Sequence, residues 1–342
     1  MSSHQTGTRK DDHLQINLEE DVTFDQLTTG LEHYRFVHQA LPELDFDEVD
    51  TRTTFLGRRF SIPLLIASMT GGTKLAGQIN QTLAAVAQEV GMGIGLGSMR
   101  AALERPDTAW TFQVRKYAPD ILLLANLGAV QLNYGYGPDE CRRAVDLVEA
   151  DGLYLHLNPL QEALQPEGDT RFSGLLQRIE AVCKALPVPV IVKEVGWGLS
   201  TRAIRLLVDA GVAALDVAGA GGTSWSQVEM HRSENSVQRE VAASFRDWGI
   251  PTAESLQMAR EVAPNIPLIA SGGLRTGIDI AKSLALGADI ATMAGPMLKA
   301  ASESQQALRD QIEILSRQLR VTMFAVGASG IPALKQTPMI QV

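Results

Sequence analysis

Residues 156–162 read HLNPLQE and put a histidine, two amides and a carboxylate within seven positions. In an extended segment His156 and Asn158 alternate onto one face, with Gln161 and Glu162 just beyond. A lone carboxylate among amides suits Mg²⁺ better than Zn²⁺, because the hard ion keeps its waters and borrows phosphate oxygens. A polar strand end without a ligand is the alternative. Lys193 and Glu194 follow the run PVIV. A lysine buried there needs an anionic neighbour, either Asp216 or Glu194 in an internal ion pair, or an electron-rich ligand. Ser98 and Arg100 end GLGSMR, and arginine is the natural bidentate clamp for phosphate. Arg9, Lys10 and His13 form a second basic group in RKDDH, with a solvated tail as the alternative reading. Three further stretches are rich in glycine: AGAGGTSW with Thr223, PLIASGGLRTG with Gly272, Gly273 and Arg275, and DIATMAGP with Ala294 and Gly295. Glycine lets backbone amides close on a ligand, and such backbone binds anions, most often phosphate. No Ser–His–Asp setting is recognisable. Neither Cys141 nor Cys183 falls at a strand end, which argues against a thiol nucleophile.

These residues need elements to position them. Short apolar runs at 63–69, 92–98, 121–127, 152–158, 189–195, 213–219, 267–273 and 289–295 alternate with stretches of helical period. Eight such units predict a (β/α)8 barrel, whose chemistry lies at the C-terminal ends of its strands. A doubly wound open sheet is the alternative, but its G-x-G-x-x-G fingerprint is absent: MTGGT follows the first strand. Residues 1–60 read as a polar, irregular extension with a helix-like patch near Asp25–Glu32. The barrel is expected over 61–320 and a tail over 321–342. A long connection after strand six, about 220–255, reads as a lid over the site or as a surface excursion used for subunit contact.

The chain has 342 residues, 45% of them hydrophobic, enough for one large α/β domain or two smaller ones. Its net charge of −9 argues against nucleic-acid and membrane-surface partners, both of which are anionic. The N-terminal residues lack an apolar segment after their basic positions, and no apolar run is long enough to span a bilayer. The expectation is a soluble, cytoplasmic protein with two inert thiols.

Taken together, TRKDDHL, ASMTGGT, GLGSMR, ANLGA, HLNPLQE, KEVGWG, DVAGAGGTSW and SGGLRTG…AGP occur in the order seen in type 2 isopentenyl-diphosphate isomerases. The chain resembles that family from Arg9 to about Met297. SGGLRTG is shared with other FMN-binding barrels, whereas RKDDH, HLNPLQE and KEVG in combination are far more specific. The resemblance implies conversion of isopentenyl diphosphate to dimethylallyl diphosphate without net redox change. It implies FMN contacts at Ser68, Met69, Thr70, Ser98, Asn126 and Lys193, with Thr223, Gly272, Gly273, Arg275, Ala294 and Gly295 around the flavin phosphate. The substrate diphosphate would meet Arg9, Lys10, His13, Ser98, Arg100, Asn158 and Gln161, and Glu162 would hold Mg²⁺. Reduced FMN would act as acid–base, with His156 and Gln161 as auxiliary groups and NADPH as a priming reductant. Lys193 would stabilise the reduced flavin. A homo-oligomer, tetramer or octamer, is also implied. Two rivals remain. A hydroxy-acid oxidase of the same barrel class would need a histidine after a late strand, where the chain has only His231, inside the long connection. A barrel that stores or senses a phosphorylated ligand would show no turnover.

Overall fold

The computed structural model describes residues 3–342. The side chains of residues 3–9 and 11 lie outside the described set, and the contact expected of Arg9 lies outside it too. Eight parallel strands close into one barrel: β1 (Leu64–Ile66), β2 (Gly93–Gly95), β3 (Leu123–Gly128), β4 (Gly152–His156), β5 (Val190–Lys193), β6 (Ala214–Asp216), β7 (Leu268–Ala270) and β8 (Ile290–Met293). Each strand pairs with its neighbour in sequence, and β8 returns to β1. This is the expected (β/α)8 architecture.

The strands are apolar on both faces because each face meets its own core. Leu64, Ile66, Leu123, Leu153, Leu155 and Val192 point outward into the layer beneath the helices. Leu65, Leu124, Tyr154, Ile191, Ala214, Ile269 and Ile290 point inward. Phe55 and Phe60, from the hairpin Thr53–Phe55/Arg58–Phe60, pack onto that inner layer. A Cβ on Gly95 would stand 3.0 Å from Tyr154 Cε2, so the Tyr154 ring fills room that the glycine leaves. Two residues further along six of the eight strands, β3 to β8, the same inward row turns polar. Asn126, His156, Lys193, Asp216, Ser271 and Thr292 follow Leu124, Tyr154, Ile191, Ala214, Ile269 and Ile290 in this way. Strand register therefore delivers the polar groups to the C-terminal mouth.

Two arginine clamps tie strand starts together. Arg115 donates to the carbonyls of Ala118, Ile121 and Glu149 and, at 2.9 Å, to Asp151 Oδ2, which also accepts Leu123 N–H. Arg260 donates to the carbonyls of Pro264, Ile266 and Gly287 and, at 2.7 Å, to Asp289 Oδ2, which also accepts Leu268 N–H. Charge-assisted bonds of this kind are the strong ones. Arg115→Ala and Arg260→Ala are each expected to lower unfolding free energy by about 1–3 kcal/mol, because each leaves several carbonyls without a donor, while Asp151 keeps Arg58 and Asp289 keeps Lys335. Urea titration checks this, and losses under about 0.5 kcal/mol would assign the clamps no role in stability.

Three regions differ from the expectations. Ser3–Glu19 is a helix, whereas Asp25–Glu32 holds only the start of a 3-10 turn, Leu31–His33. The helix left no apolar period to read, since Leu14 is its one buried apolar side chain among the described residues. The connection after β6 is built as two helices, Trp225–Arg232 and Ser236–Ala243, and is not an open loop. At the C-terminus the break expected after residue 320 falls inside one helix, Gln305–Ala325, and Met339–Gln341 then pairs antiparallel with Tyr34–Phe36. Among the described residues no helix is long and apolar enough to cross a membrane.

Candidate active site

A cavity of about 840 Å³ opens at the C-terminal mouth of the barrel. Every expected site residue with a described side chain lines it, from Lys10 and His13 on the N-terminal helix to Ala294 and Gly295 after β8.

One side of the cavity is made of backbone. A Cβ on Gly222 would stand 2.6 Å from Gly273 N, so the turns after β6 and β7 pack main chain against main chain. Gly273 sits at φ 75°, a region that glycine adopts freely. Thr223, Gly272 and Arg275 border the same hollow, and Ala294 caps the helix Gly295–Glu303. The first amides of that helix have no intrahelical acceptor, and a helix N-terminus favours anions. A Cβ on Gly295 would meet nothing within 4 Å. The hollow is therefore open and lined with N–H donors.

The middle of the cavity belongs to Lys193, which is 8% exposed and donates to Glu194 O at 2.6 Å. Neither candidate partner pairs with it directly: among the described residues Lys193 makes no ion pair within 4.0 Å. Asp216 accepts from Ser271 Oγ and from Ala218 N–H, and burial pushes its carboxyl above the usual range. Glu194 turns away, its Oε2 accepting the amides of Val195, Gly196 and Trp197 at 2.7, 2.7 and 2.5 Å. Lys193 is left facing the cavity. Beside it, His156 Nδ1 stands 2.8 Å from Asn126 Oδ1, a hydrogen bond that fixes the orientation of the ring. Ser68, Met69, Thr70 and Ser98 complete this wall, and Ser68 Oγ is buried without a hydrogen bond among the described residues.

Burial also pushes the Glu194 carboxyl up from 4.5 to about 7, with the three amides opposing the shift. The native carboxyl thus binds its proton more tightly than the unfolded one. Its contribution favours the fold below pH 4.5 and is lost as pH rises through about 7. Wild-type stability should accordingly fall between those values relative to Glu194→Gln, whose neutral amide can still accept from the turn. Thermal melts of both proteins across that range check the slope, and parallel curves would refute it.

The far side of the cavity is the most densely bonded. Glu162 takes Asn158 Nδ2 on Oε1 at 2.9 Å, and Gln165 Nε2 and Asp169 N–H on Oε2 at 2.5 and 2.6 Å. Asn158 Nδ2 also reaches Gln161 Oε1, while Gln161 Nε2 donates to Glu229 Oε1 at 3.0 Å. Arg100 lies 2.7 Å from both Glu104 and Asp169. From the N-terminal helix, Lys10 donates to Ser98 O at 2.8 Å and stands 5.0 Å from the centre of the Phe112 ring. His13 meets Trp225 edge-on at 5.3 Å, and its Nε2 stands 3.1 Å from Glu229 Oε1. Among the described residues no group of three or more His, Cys, Asp or Glu side chains could hold a metal.

Glu229 was missed in the sequence. Its side chain is 1% exposed and joins His13, Gln161 and Arg232. The signal was present, since Trp225, Glu229 and Arg232 share one face at helical spacing. It is visible only once the connection after β6 is read as a helix.

The pattern of the FMN-dependent dehydrogenase family matches residues 5–115 and 159–341. A curated Nostoc sp. relative named isopentenyl-diphosphate delta-isomerase is 55% identical over 339 residues, covering 99% of this chain and 97% of the relative. One of the same name from Rickettsia africae is 54% identical over 320 residues, covering 94% and 93%. A solved structure of mandelate oxidase with (S)-2-phenylpropionate superimposes with TM-score 0.68 at 19% identity, covering 99% of this chain and 98% of that one, which is a likeness of fold. The backbone-built hollow, the buried lysine and the polar mouth thus stand in a chain that belongs to the isopentenyl-diphosphate delta-isomerase family, on the barrel of the FMN-dependent dehydrogenases.

Proposed function

We propose that this chain converts isopentenyl diphosphate to dimethylallyl diphosphate, with FMN kept reduced and Mg²⁺ on the diphosphate. The observation that carries the reading is the division of one cavity into an anion hollow, a central lysine and a mouth of cations, amides and one carboxylate. A flavin phosphate suits the hollow, where Thr223, Gly272, Gly273, Arg275, Ala294 and Gly295 would surround it. Ser68, Met69, Thr70, Ser98, Asn126 and Lys193 would hold the ring, and the unpartnered Ser68 Oγ is a donor available to it. At the mouth, among the described residues, Glu162 Oε1 has a single donor and Asn158 Oδ1 is buried without one. These hard oxygens suit Mg²⁺ completed by waters and phosphate oxygens. Arg9, Lys10, His13, Ser98, Arg100, Asn158 and Gln161 would receive the diphosphate.

Reduced FMN, when bound, supplies an acid–base centre at N5 for moving the double bond. The chain excludes water from the reacting carbons, which protects a high-energy cation from capture. His156, oriented by Asn126, and Gln161, fixed between Asn158 and Glu229, act as auxiliary groups beside the alkene. NADPH primes the flavin and is not consumed at each turnover. The enzyme works as a homo-oligomer, tetramer or octamer, in the cytoplasm. The hydroxy-acid oxidase reading has no support in the cavity: His231 does not line it and stands 3.8 Å from Glu20.

The test uses purified protein with FMN, Mg²⁺ and a reductant under anaerobic D₂O. Isopentenyl diphosphate is added and its olefinic signals are followed by NMR. Deuterated dimethylallyl diphosphate without proportional loss of reductant is expected. Bound flavin with no conversion would overturn the substrate assignment.

A further inference from the structure

Arg100 is held from behind. Its Nε donates to Glu104 Oε1 at 2.7 Å and its Nη1 to Asp169 Oδ2 at 2.7 Å. Nη2 carries no hydrogen bond among the described residues, although Arg100 lines the cavity. Asp169 does more than neutralise this arginine. Its Oδ2 also accepts Gln131 Nε2 at 2.8 Å, and its backbone N–H donates to Glu162 Oε2 at 2.6 Å. The Arg100 and Asp169 side chains are only 17% and 14% exposed, and neither Asp169 nor Glu104 lines the cavity. One residue outside the pocket therefore grips, from its two ends, an arginine and a carboxylate that face into it.

We propose that Asp169 is a positioning residue of the diphosphate pocket, fixing Arg100 and Glu162 relative to one another so that the arginine offers Nη2 and the carboxylate offers Oε1 to the same ligand. The proposal rests on the diphosphate reading of the mouth. It follows from the geometry of the guanidinium, which is planar: once Nε and Nη1 are bonded to two carboxylates, the direction of Nη2 is set. Preorganised donors bind an anion better than mobile ones of equal charge, because less freedom is lost on binding. A simple charge argument predicts the opposite. Removing the Asp169 carboxylate beside an arginine makes the pocket more positive and should tighten anion binding. The two effects differ in sign, so one titration separates them.

Inorganic pyrophosphate with Mg²⁺ is titrated calorimetrically into flavin-loaded, full-length protein: wild type, Asp169→Asn, Arg100→Ala and the double variant. Asp169→Asn is expected to weaken pyrophosphate at least roughly tenfold, the scale of one charge-assisted hydrogen bond. Because the lost contact acts through Arg100, the double variant should bind within about twofold of Arg100→Ala alone. Asp169→Glu keeps the charge but displaces it, and it should weaken binding too. Turnover adds a readout that general destabilisation would not mimic: KM for isopentenyl diphosphate rises while kcat stays within about threefold. Unchanged or tighter pyrophosphate binding by Asp169→Asn overturns the proposal, as do independent, additive losses in the double variant. Wild type that binds no pyrophosphate overturns the diphosphate reading, and the positioning role with it. Wild type that binds and turns over beside an unaltered Asp169→Asn overturns the positioning role alone.

Discussion

Replacing Lys193 with methionine is expected to slow isopentenyl diphosphate conversion by about 10²–10³-fold, the range seen when one preorganised donor is removed from an active site. The ammonium is buried, faces the cavity and, among the described residues, has no carboxylate within ion-pair distance to absorb its charge. Its field is thus directed at whatever occupies the centre of the cavity. The fold should survive the change. Asp216 lies beside Lys193 in strand register and would lose its nearest cation. Its carboxyl is already pushed up by burial, however, so it can take a proton instead of remaining a stranded charge. Ser271 and the Ala218 amide continue to hold it. Flavin should be retained, because the hollow that would take its phosphate is built from other strands. Anaerobic turnover followed by NMR, with the absorbance of bound flavin as control, checks this. A rate within about tenfold of wild type would remove Lys193 from the reaction.

The second large effect concerns the cofactor. Gly295→Val should leave the protein folded and abolish stable FMN binding, weakening it by about 10³-fold or more, because a phosphate loses several charge-assisted bonds at once. Position 295 allows this separation because an added Cβ meets nothing within 4 Å beyond its chain neighbours and its own helix backbone. Gly273 would not serve. There a Cβ would stand 2.4 Å from Thr29 Cγ2 and 2.5 Å from Gly221 O, on backbone at φ 75°, so substitution would break the turn itself. Thermal melts should place Gly295→Val close to wild-type protein stripped of flavin, and FMN titration should show the lost affinity. Flavin binding at wild-type affinity would show that the hollow is not the phosphate site.

The eight strands were legible because strands buried on both faces are written as continuous apolar runs ended by glycine or a polar residue. The mouth was legible for the same reason, since Asn126, His156 and Lys193 each end such a run. Asp216, Ser271 and Thr292 obey the identical rule of two residues past the inner apolar layer, and could have been assigned to the mouth from it. The N-terminal helix left no trace, because it is held by His13 against Trp225 and Lys10 against Ser98 and not by an apolar face. Glu229 carried a local signal, its helical spacing from Trp225 and Arg232, that was readable only with the connection taken as a helix. Asp169 was hidden for another reason: its partner Arg100 lies far away in sequence, and a contact made by folding over such separation has no local spelling.

The two arginine clamps carry a consequence for symmetry. Their segments read RKYAPDILLLA from Arg115 and REVAPNIPLIA from Arg260, with the arginine, alanine, proline, isoleucine and leucine in step. One clamp leads into β3 and β4 and the other into β7 and β8, four strands away in a ring of eight. A half-turn about the barrel axis therefore carries the glycine hollow onto the mouth formed by Asn126, His156 and Asn158. Proline marks the first turn of the helix at both places, Pro296 after β8 and Pro159 after β4. The proposed cofactor end and substrate end are then two versions of one strand-end arrangement. At one, glycine would leave the backbone to meet an anion. At the other, side chains would take that task, so the two proposed phosphorylated ligands would sit in two matching halves of one barrel.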